Sequence, residues 1–190
     1  MREKILKISA KLFSERGYKE VTTRDIGDAV GVKAASIFYH FSAKGDIPKT
    51  LYKYYEDQRI KASPDLNELL KLAETAPPHE VLMKAEPHYD QETREFLDQI
   101  LVAAIRSVGV EPGAERFIQE NVFDATSAIL KPLLERMVML GKIKPLDIDA
   151  FISVLLRYRF GAASLSKTSL ENTHTKYQVG LPYIFSLLRY

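Results

Sequence analysis

The chain has 190 residues, 46% of them apolar, which is enough for one large domain or for a small module joined to a larger one. It contains no cysteine, which excludes disulfides and thiolate chemistry and suits a reducing compartment. Its net charge of +2 is uneven, because residues 1–60 carry +4 and residues 61–190 carry −2. No stretch has the roughly 20 apolar residues of a membrane span or the apolar core of a signal peptide. We therefore expect a cytoplasmic protein whose basic N-terminal head can face a polyanion.

The first predicted helix covers about residues 5–16. Ile5, Ile8 and Leu12 recur at the spacing of one helix face, and Gly17 ends the segment because glycine readily adopts the left-handed conformation of helix ends. This face needs a partner surface.

Two short helices follow, and together they predict a helix-turn-helix. Thr22 and Asp25 have the spacing of a capping box, after which Ile26, Ala29 and Val30 give the first short helix an apolar face. Gly31 supplies the tight turn, Val32 is placed in the core, and a second short helix runs from about Ala34 to His40 with Ile37 and Phe41 inward. Two-turn helices are too short to be stable alone, so the first helix must pack across them. The second short helix of such a unit enters the major groove of DNA.

The rest of the chain is also helical in pattern, since no segment alternates with a period of two for long. Proline and glycine residues separate the segments, and Pro132 predicts a bend inside the longest one. That helix carries a predicted stripe of Ile118, Val122, Ala125, Ile129 and Leu133. The expected fold is all-α with nine to ten helices. Those after the head lie near 47–61, 65–75, 79–86, 91–108, 114–140, 147–165 and 175–189.

Four sequence features of residues 5–44 occur in an order typical of one family. They are Leu-Phe before Glu-Arg-Gly-Tyr, Thr-Thr-Arg-Asp-Ile, Gly-Val, and Ser-Ile-Phe-Tyr-His-Phe followed by Ala-Lys. This run resembles the N-terminal domain of the TetR (tetracycline repressor) family of bacterial regulators. The resemblance implies a helix-turn-helix DNA-binding domain at 1–46 and a helical effector-binding and dimerisation domain at 47–190. It further implies a homodimer that binds a near-palindromic double-stranded DNA operator, usually as a repressor, and that a small-molecule effector releases.

The resemblance also assigns DNA contacts. Arg24 suits bidentate reading of guanine, and small residues at the start of the recognition helix suit a thymine methyl group. The remaining polar residues suit phosphates, and Ser36 suits either a phosphate or a base edge. Arg24, Tyr39 and His40 also fit ordinary surface or core-edge positions. Because the recognition helix has no Arg, Asn or Gln, we expect backbone contacts and DNA shape to carry much of the affinity. The predicted DNA-binding residues are Thr23, Arg24, Lys33, Ala34, Ala35, Ser36, Tyr39, His40 and Lys44.

Three positions depart from the family pattern. Lys33 replaces the usual helix-capping Ser, Phe38 replaces a common Tyr, and Gly45-Asp46-Ile47-Pro48 interrupts a sequence that normally continues as helix. Because Pro48 does not fit deep inside a helix, we expect Asp46 to be the N-cap of a fourth helix that starts late.

The helix near 147–165 is apolar on all sides, so it needs cover both from its own core and from a second subunit. With the last helix it would form an isologous four-helix bundle, as the TetR family does, although complete burial within one subunit is the alternative. The predicted interface residues are Phe151, Leu155, Ala162, Tyr177, Ile184 and Leu188.

The effector site is the least defined part. Aromatic and polar residues of the middle helices could line it, or they could simply form the core. The predicted pocket residues are Tyr55, Arg59, Tyr89, Phe96, Asn121, Phe123, Arg157 and Tyr158. His79, His88 and Asp90 lack metal-ligand spacing, and no motif of an enzyme is present, so we expect no metal, cofactor or catalysis. Two alternatives stay open: a regulator controlled by abundance or by a protein partner, and a DNA-binding head that has become vestigial.

Overall fold

The computed structural model describes the backbone of residues 1–165 and the side-chain surroundings of residues 1–157. Every regular element in this range is helical, which confirms the all-α prediction. The last predicted helix lies outside the described residues, as do Tyr177, Ile184, Leu188 and the side chains of Tyr158 and Ala162. The helices are α1 Arg2–Arg16, α2 Thr23–Val30, α3 Ala34–His40, α4 Asp46–Ala62, α5 Leu66–Thr75, α6 Pro78–Lys84, α7 Gln91–Ile105, α8 Ala114–Ile118, α9 Ala125–Met139 and α10 Ile148–Leu165.

The chain divides into two compact units. The first contains Met1–Lys61 and Tyr89–Asn121, so α4, α7 and α8 group with the three helices of the head. The second contains Ala62–His88 and the described chain from Val122 onward. The domain boundary that we expect after residue 46 remains a prediction. The helices on its two sides, α1 to α3 and α4, belong to one compact unit.

In the first unit, α1 packs against both α2 and α7. Ile5, Ala10 and Phe13 of α1 are buried, as are Ile100 and Ala104 of α7. Of the α1 face that the sequence predicts, Ile5 is buried, whereas Ile8 and Leu12 are only half-buried. The buried side of α1 packs against the helix-turn-helix and against a helix almost ninety residues further along the chain.

One polar side chain lies within this packed face of α1. The hydroxyl of Ser9 is fully buried and has no hydrogen-bond partner among the described residues. We expect Ser9→Ala to raise the free energy of unfolding by about 1 kcal/mol, because it removes an unsatisfied buried hydroxyl and favours the helix. Urea denaturation measures the change. Ser14 is the control, because its hydroxyl donates to the Lys11 carbonyl at 2.7 Å, and Ser14→Ala should give no gain. A lower midpoint for Ser9→Ala would contradict this account.

The loop between α7 and α8 is bonded to α4 and α1. The Tyr52 hydroxyl donates to Oε2 of Glu111 at 3.0 Å, and Glu111 is only 6% exposed. Arg106 donates from Nη1 to the Glu15 carbonyl at 2.9 Å. Burial, followed by the negative charge of Glu111, raises the pKa of Tyr52 far above its ordinary value. The phenol therefore stays protonated and remains the donor that satisfies this buried carboxylate.

We expect Tyr52→Phe to lower the free energy of unfolding by about 1.5–3 kcal/mol, because the buried carboxylate loses its donor. The loss should be constant at neutral pH and shrink above about pH 10, where a phenol in the unfolded wild-type chain ionises and the folded one does not. Tyr54→Phe is the matched control, since the Tyr54 ring packs 5.1 Å from Phe96 and its hydroxyl has no hydrogen bond in the described region. Equal losses in chemical denaturation of the two variants would refute the role of Glu111.

The second unit is built on α9, which packs against α5 and α10, while α6 packs against α5. Its core includes Leu69, Leu133 and Met137. Arg136 forms an ion pair with Glu74 at 2.6 Å. None of the described helices is long and apolar enough to cross a membrane.

A π-helical segment, Gln119–Asp124, connects α8 to α9 and alters the burial pattern. The buried positions Phe117 and Val122 are five residues apart, which matches the i→i+5 bonding of a π-helix. The continuous stripe predicted here is wrong in part. Val122 and Leu133 are buried, whereas its other three members, Ile118, Ala125 and Ile129, are only half-buried.

Candidate nucleic-acid interface

The start of α2 is fixed by a capping box, as the sequence predicts. The Thr22 side chain accepts from the Asp25 amide at 3.1 Å, and Asp25 Oδ2 accepts from the Thr22 amide at 2.7 Å. Hydrogen bonds from the Thr22 hydroxyl and then from its backbone lower the pKa of Asp25 below its usual range. Thr23 and Arg24 therefore lie in a well-defined first helical turn, beside backbone amides that can attract an anion.

Two glycines determine how closely α3 approaches α2. Gly31 has φ 85° and ψ 34°, and the Val32 amide donates to the Gly27 carbonyl at 2.8 Å, so the helix ends in a Schellman motif. Gly27 is buried, and a Cβ atom there would lie 2.8 Å from the Val32 carbonyl oxygen and 3.2 Å from the Ala34 nitrogen. Only glycine at position 27 fits this approach.

The inner side of the helix-turn-helix holds α3 against the rest of the head. Ile26, Val30, Ile37 and Phe41 are all at most 4% exposed, which confirms the inward positions predicted for Ile37 and Phe41. The prediction that Ala29 joins the apolar face is wrong, because Ala29 is exposed. Val32, predicted to enter the core, is half-buried, since it lies in the turn rather than on a helix face.

The outer side of α3 is open to solvent. Tyr39 is 86% exposed and its ring meets that of His40 edge-on, with 5.1 Å between the centroids. Lys33 precedes α3 without forming a side-chain cap. Every residue predicted to bind DNA is exposed or half-buried, so the set is accessible from outside. Arg24, Lys33, Ala35 and Tyr39 are exposed, while Thr23, Ala34, Ser36, His40 and Lys44 are half-buried.

Lys44 is anchored to the loop between α1 and α2. Its Nζ donates to the Tyr18 carbonyl at 2.6 Å and lies 4.1 Å from the centroid of the Tyr18 ring. Partial burial lowers the pKa of Lys44. Because an ammonium has three donors, this carbonyl bond leaves the group able to donate further.

The fourth helix does not start late, contrary to the sequence prediction. It begins at Asp46 and includes Pro48 in its first turn, where a proline needs no amide partner. Asp46 does not act as the N-cap of this helix. Its Oδ2 instead accepts a hydrogen bond from the amide of Ala43, which precedes the helix, at 3.1 Å.

Sequence reasoning missed three features of this surface. Phe38 is 51% exposed on α3, although it is apolar. Lys4 donates from Nζ to the Val30 carbonyl at 2.9 Å and so caps the C-terminal end of α2. The guanidinium carbon of Arg2 lies 5.1 Å from the centroid of the Phe41 ring. The basic start of α1 was the available signal for the two cations, but their partners lie more than twenty residues away.

The predicted pocket residues fall into both units. In the first unit, Arg59 donates from Nε to Asn121 Oδ1 at 3.3 Å, the Tyr55 ring packs edge-on against Phe117, and Phe96 is buried. Tyr89 also belongs to this unit. Phe123 and Arg157 belong to the second unit, where Arg157 is exposed. The second unit also has an open groove of about 430 Å³ that contains none of these residues; it is lined by Pro64, Asp65, Glu68, Leu69, Leu72 and Lys84.

Comparisons with known proteins agree with this geometry. The family model described as bacterial regulatory proteins, tetR family, matches residues 5–51. The HTH-type transcriptional repressor KstR2 of Rhodococcus jostii (strain RHA1) is 38% identical over 56 residues, which are 30% of this chain and 28% of that protein. The negative regulator of the biofilm operon icaADBC, IcaR, of Staphylococcus aureus (strain Newman) is 45% identical over 47 residues, 25% of each chain. The matches thus span about a quarter of these relatives.

Solved structures share the fold over nearly the whole chain. The ketosteroid transcriptional regulator KstR2 of Mycobacterium tuberculosis has a TM-score of 0.73 at 21% identity and covers 100% of this chain and 95% of its own. The TetR-family regulator PfmR of Thermus thermophilus has a TM-score of 0.70 at 19% identity, with coverage of 95% and 96%. The head thus matches the family model of the tetR bacterial regulatory proteins over residues 5–51, and the chain shares the fold of solved TetR-family regulators over most of its length.

Proposed function

We propose that this protein is a sequence-specific, DNA-binding transcriptional regulator whose α3 enters the major groove. The observation that carries the proposal is the division of α3 into two sides. Ile37 is 1% exposed and fixes the helix, whereas Tyr39 is 86% exposed on the other side. A short helix held by its inner face and free on its outer face is the arrangement that groove reading requires.

The proposed contacts divide into two kinds. Arg24 reads a base edge, because it is exposed in the first turn of α2 and guanidinium is the group best suited to guanine. Lys33, Tyr39 and Lys44 bind phosphates, which position the protein without reading sequence. Ala35 is exposed and small, and it suits contact with a thymine methyl group.

We further propose that the protein acts as a homodimer and represses until an effector releases it. In α10, Leu155, which the sequence places at the interface, is instead buried like Ile152 among the described residues. Val154 is 65% exposed, so it offers an outward apolar position on the helix expected to bind a partner. A two-fold dimer would set two recognition helices at a spacing that matches successive major grooves. The effector pocket remains a proposal around Arg59 and Asn121; the alternative is a regulator that senses no small molecule.

Selection of duplexes from a random library by the full-length protein tests this function. We expect enrichment of two inverted half-sites separated by about one helical turn, and an unselected duplex of equal length is the control. Weak binding without enrichment of any sequence would overturn it. Screening small molecules for release of the selected duplex then separates the two forms of regulation.

A further inference from the structure

The most informative feature outside the proposed contact set is the position of Arg2. Its guanidinium lies over the ring of Phe41, the residue that directly follows α3. Phe41 is 4% exposed and forms part of the core, whereas Arg2 is exposed. A buried ring therefore holds an exposed cation beside the C-terminal end of the recognition helix.

We propose that Arg2 is a further DNA contact, which binds a backbone phosphate at this end of α3. The inference rests on the proposed function and extends it to the first turn of α1. No motif in the helix-turn-helix contains this residue, because the contact with Phe41 joins positions 39 residues apart.

The dimensions of α3 support this role. Seven residues of α-helix are about 10 Å long, and the major groove is about 12 Å wide. A helix of this length meets a phosphate strand near each of its ends. Lys33 supplies an exposed cation at the N-terminal end, and Arg2 supplies one at the C-terminal end.

The ring also restrains the guanidinium before DNA arrives. A cation held over an aromatic face has lost part of its side-chain freedom, so less entropy is lost when a phosphate binds. The guanidinium has five N–H donors, and contact with an aromatic ring leaves it able to donate to a phosphate, which can accept two of them.

The alternative is that Arg2 only covers the Phe41 ring, which would contribute to stability and not to DNA binding. The two roles differ in how DNA binding depends on salt. Affinity falls as salt rises, and removal of one phosphate contact makes the plot of log affinity against log salt concentration less steep by about 1. A dimer without Arg2 has lost two such contacts, so the steepness of its plot should fall by about 2. If Arg2 only covers the ring, its removal changes the melting temperature and leaves this slope unchanged.

The experiment compares Arg2→Gln and Arg2→Lys with Lys11→Gln in the full-length protein. Lys11 is an exposed cation about two and a half turns further along α1, which puts it on the opposite side of the helix. Fluorescence anisotropy with a duplex selected by the wild type, and with a scrambled duplex, gives the dissociation constants between about 50 and 200 mM salt. Melting temperatures report the fold of each variant.

We expect Arg2→Gln to weaken binding to both duplexes equally, by about fivefold or more, and to lower the salt slope by about 2. Arg2→Lys should keep the wild-type slope, and Lys11→Gln should change neither quantity. Arg2→Gln with wild-type affinity and slope would overturn the inference while leaving the proposed function standing. A loss confined to the selected duplex would overturn the assignment to phosphate. A wild type that binds no duplex would overturn the proposed function itself.

Discussion

Gly27→Ala is expected to destabilise the helix-turn-helix by about 2–3 kcal/mol, although alanine is the better helix former by about 1 kcal/mol. The added methyl group would lie 2.8 Å from the Val32 carbonyl oxygen and 3.2 Å from the Ala34 nitrogen. Both atoms belong to the backbone of the turn into α3, so no side-chain rotation relieves the overlap. The turn must move, and α3 must move with it.

Denaturant unfolding measures the loss of stability, and anisotropy with the selected duplex measures the accompanying loss of DNA affinity. Gly45→Ala is the matched control. Apart from the residues next to it in sequence, the nearest atom to a Cβ at position 45 would be the Tyr18 hydroxyl oxygen at 3.7 Å, which is an ordinary contact. Gly31→Ala isolates backbone strain, since its φ of +85° disfavours alanine while nothing lies within 4 Å. If Gly27→Ala is as stable as Gly45→Ala, the close approach of α2 and α3 is not what fixes the turn.

Arg24→Ala is expected to weaken binding to the selected duplex by about 30-fold or more and to change binding to a scrambled duplex far less. A bidentate contact with guanine is worth about 1–3 kcal/mol of discrimination, and a dimer has two such contacts. Arg24 is exposed in the first turn of α2, while α3 contributes no Arg, Asn or Gln of its own. We therefore expect sequence discrimination to depend on this side chain more than on any other.

The matched control is Lys19→Ala, which removes another exposed cation of the head, located in the loop before α2. It should affect the selected and scrambled duplexes equally, because the charge of the head attracts any DNA sequence alike. Competition gel shifts with the two duplexes give the ratio of affinities. An equal loss on both duplexes for Arg24→Ala would show that Arg24 anchors a phosphate and reads no base.

Local features of the head could be predicted from the sequence, because they depend on neighbours a few residues apart. The capping box of Thr22 and Asp25 and the inward positions of Ile37 and Phe41 follow from short-range spacing and from the period of a helix. The all-α fold follows for the same reason. The outward position of Tyr39 follows in turn, since a seven-residue helix with Ile37 buried must expose its other side.

Features that join distant positions could not be predicted in the same way. Spacing alone does not indicate that Lys44 bonds to the Tyr18 carbonyl or that Glu111 accepts from Tyr52. From the sequence alone, Gly27 is only a residue that destabilises a helix. Its role becomes clear once the turn that approaches it is known. The π-helical segment changes the period from 3.6 to a larger value, so a constant helical period misplaces residues such as Ile118.

The packing of α7 against α1 has a practical meaning for protein engineering. A fragment that ended after α3 or α4 would lose α7, one of the two helices against which α1 packs, and would leave part of the buried side of α1 uncovered. Exchange of the N-terminal segment with another protein of this fold would therefore pair each α1 with a foreign α7 and create voids or overlaps. Under the proposed function, the DNA sequence that is bound is better altered by changing the solvent-facing positions of α2 and α3 within the intact chain.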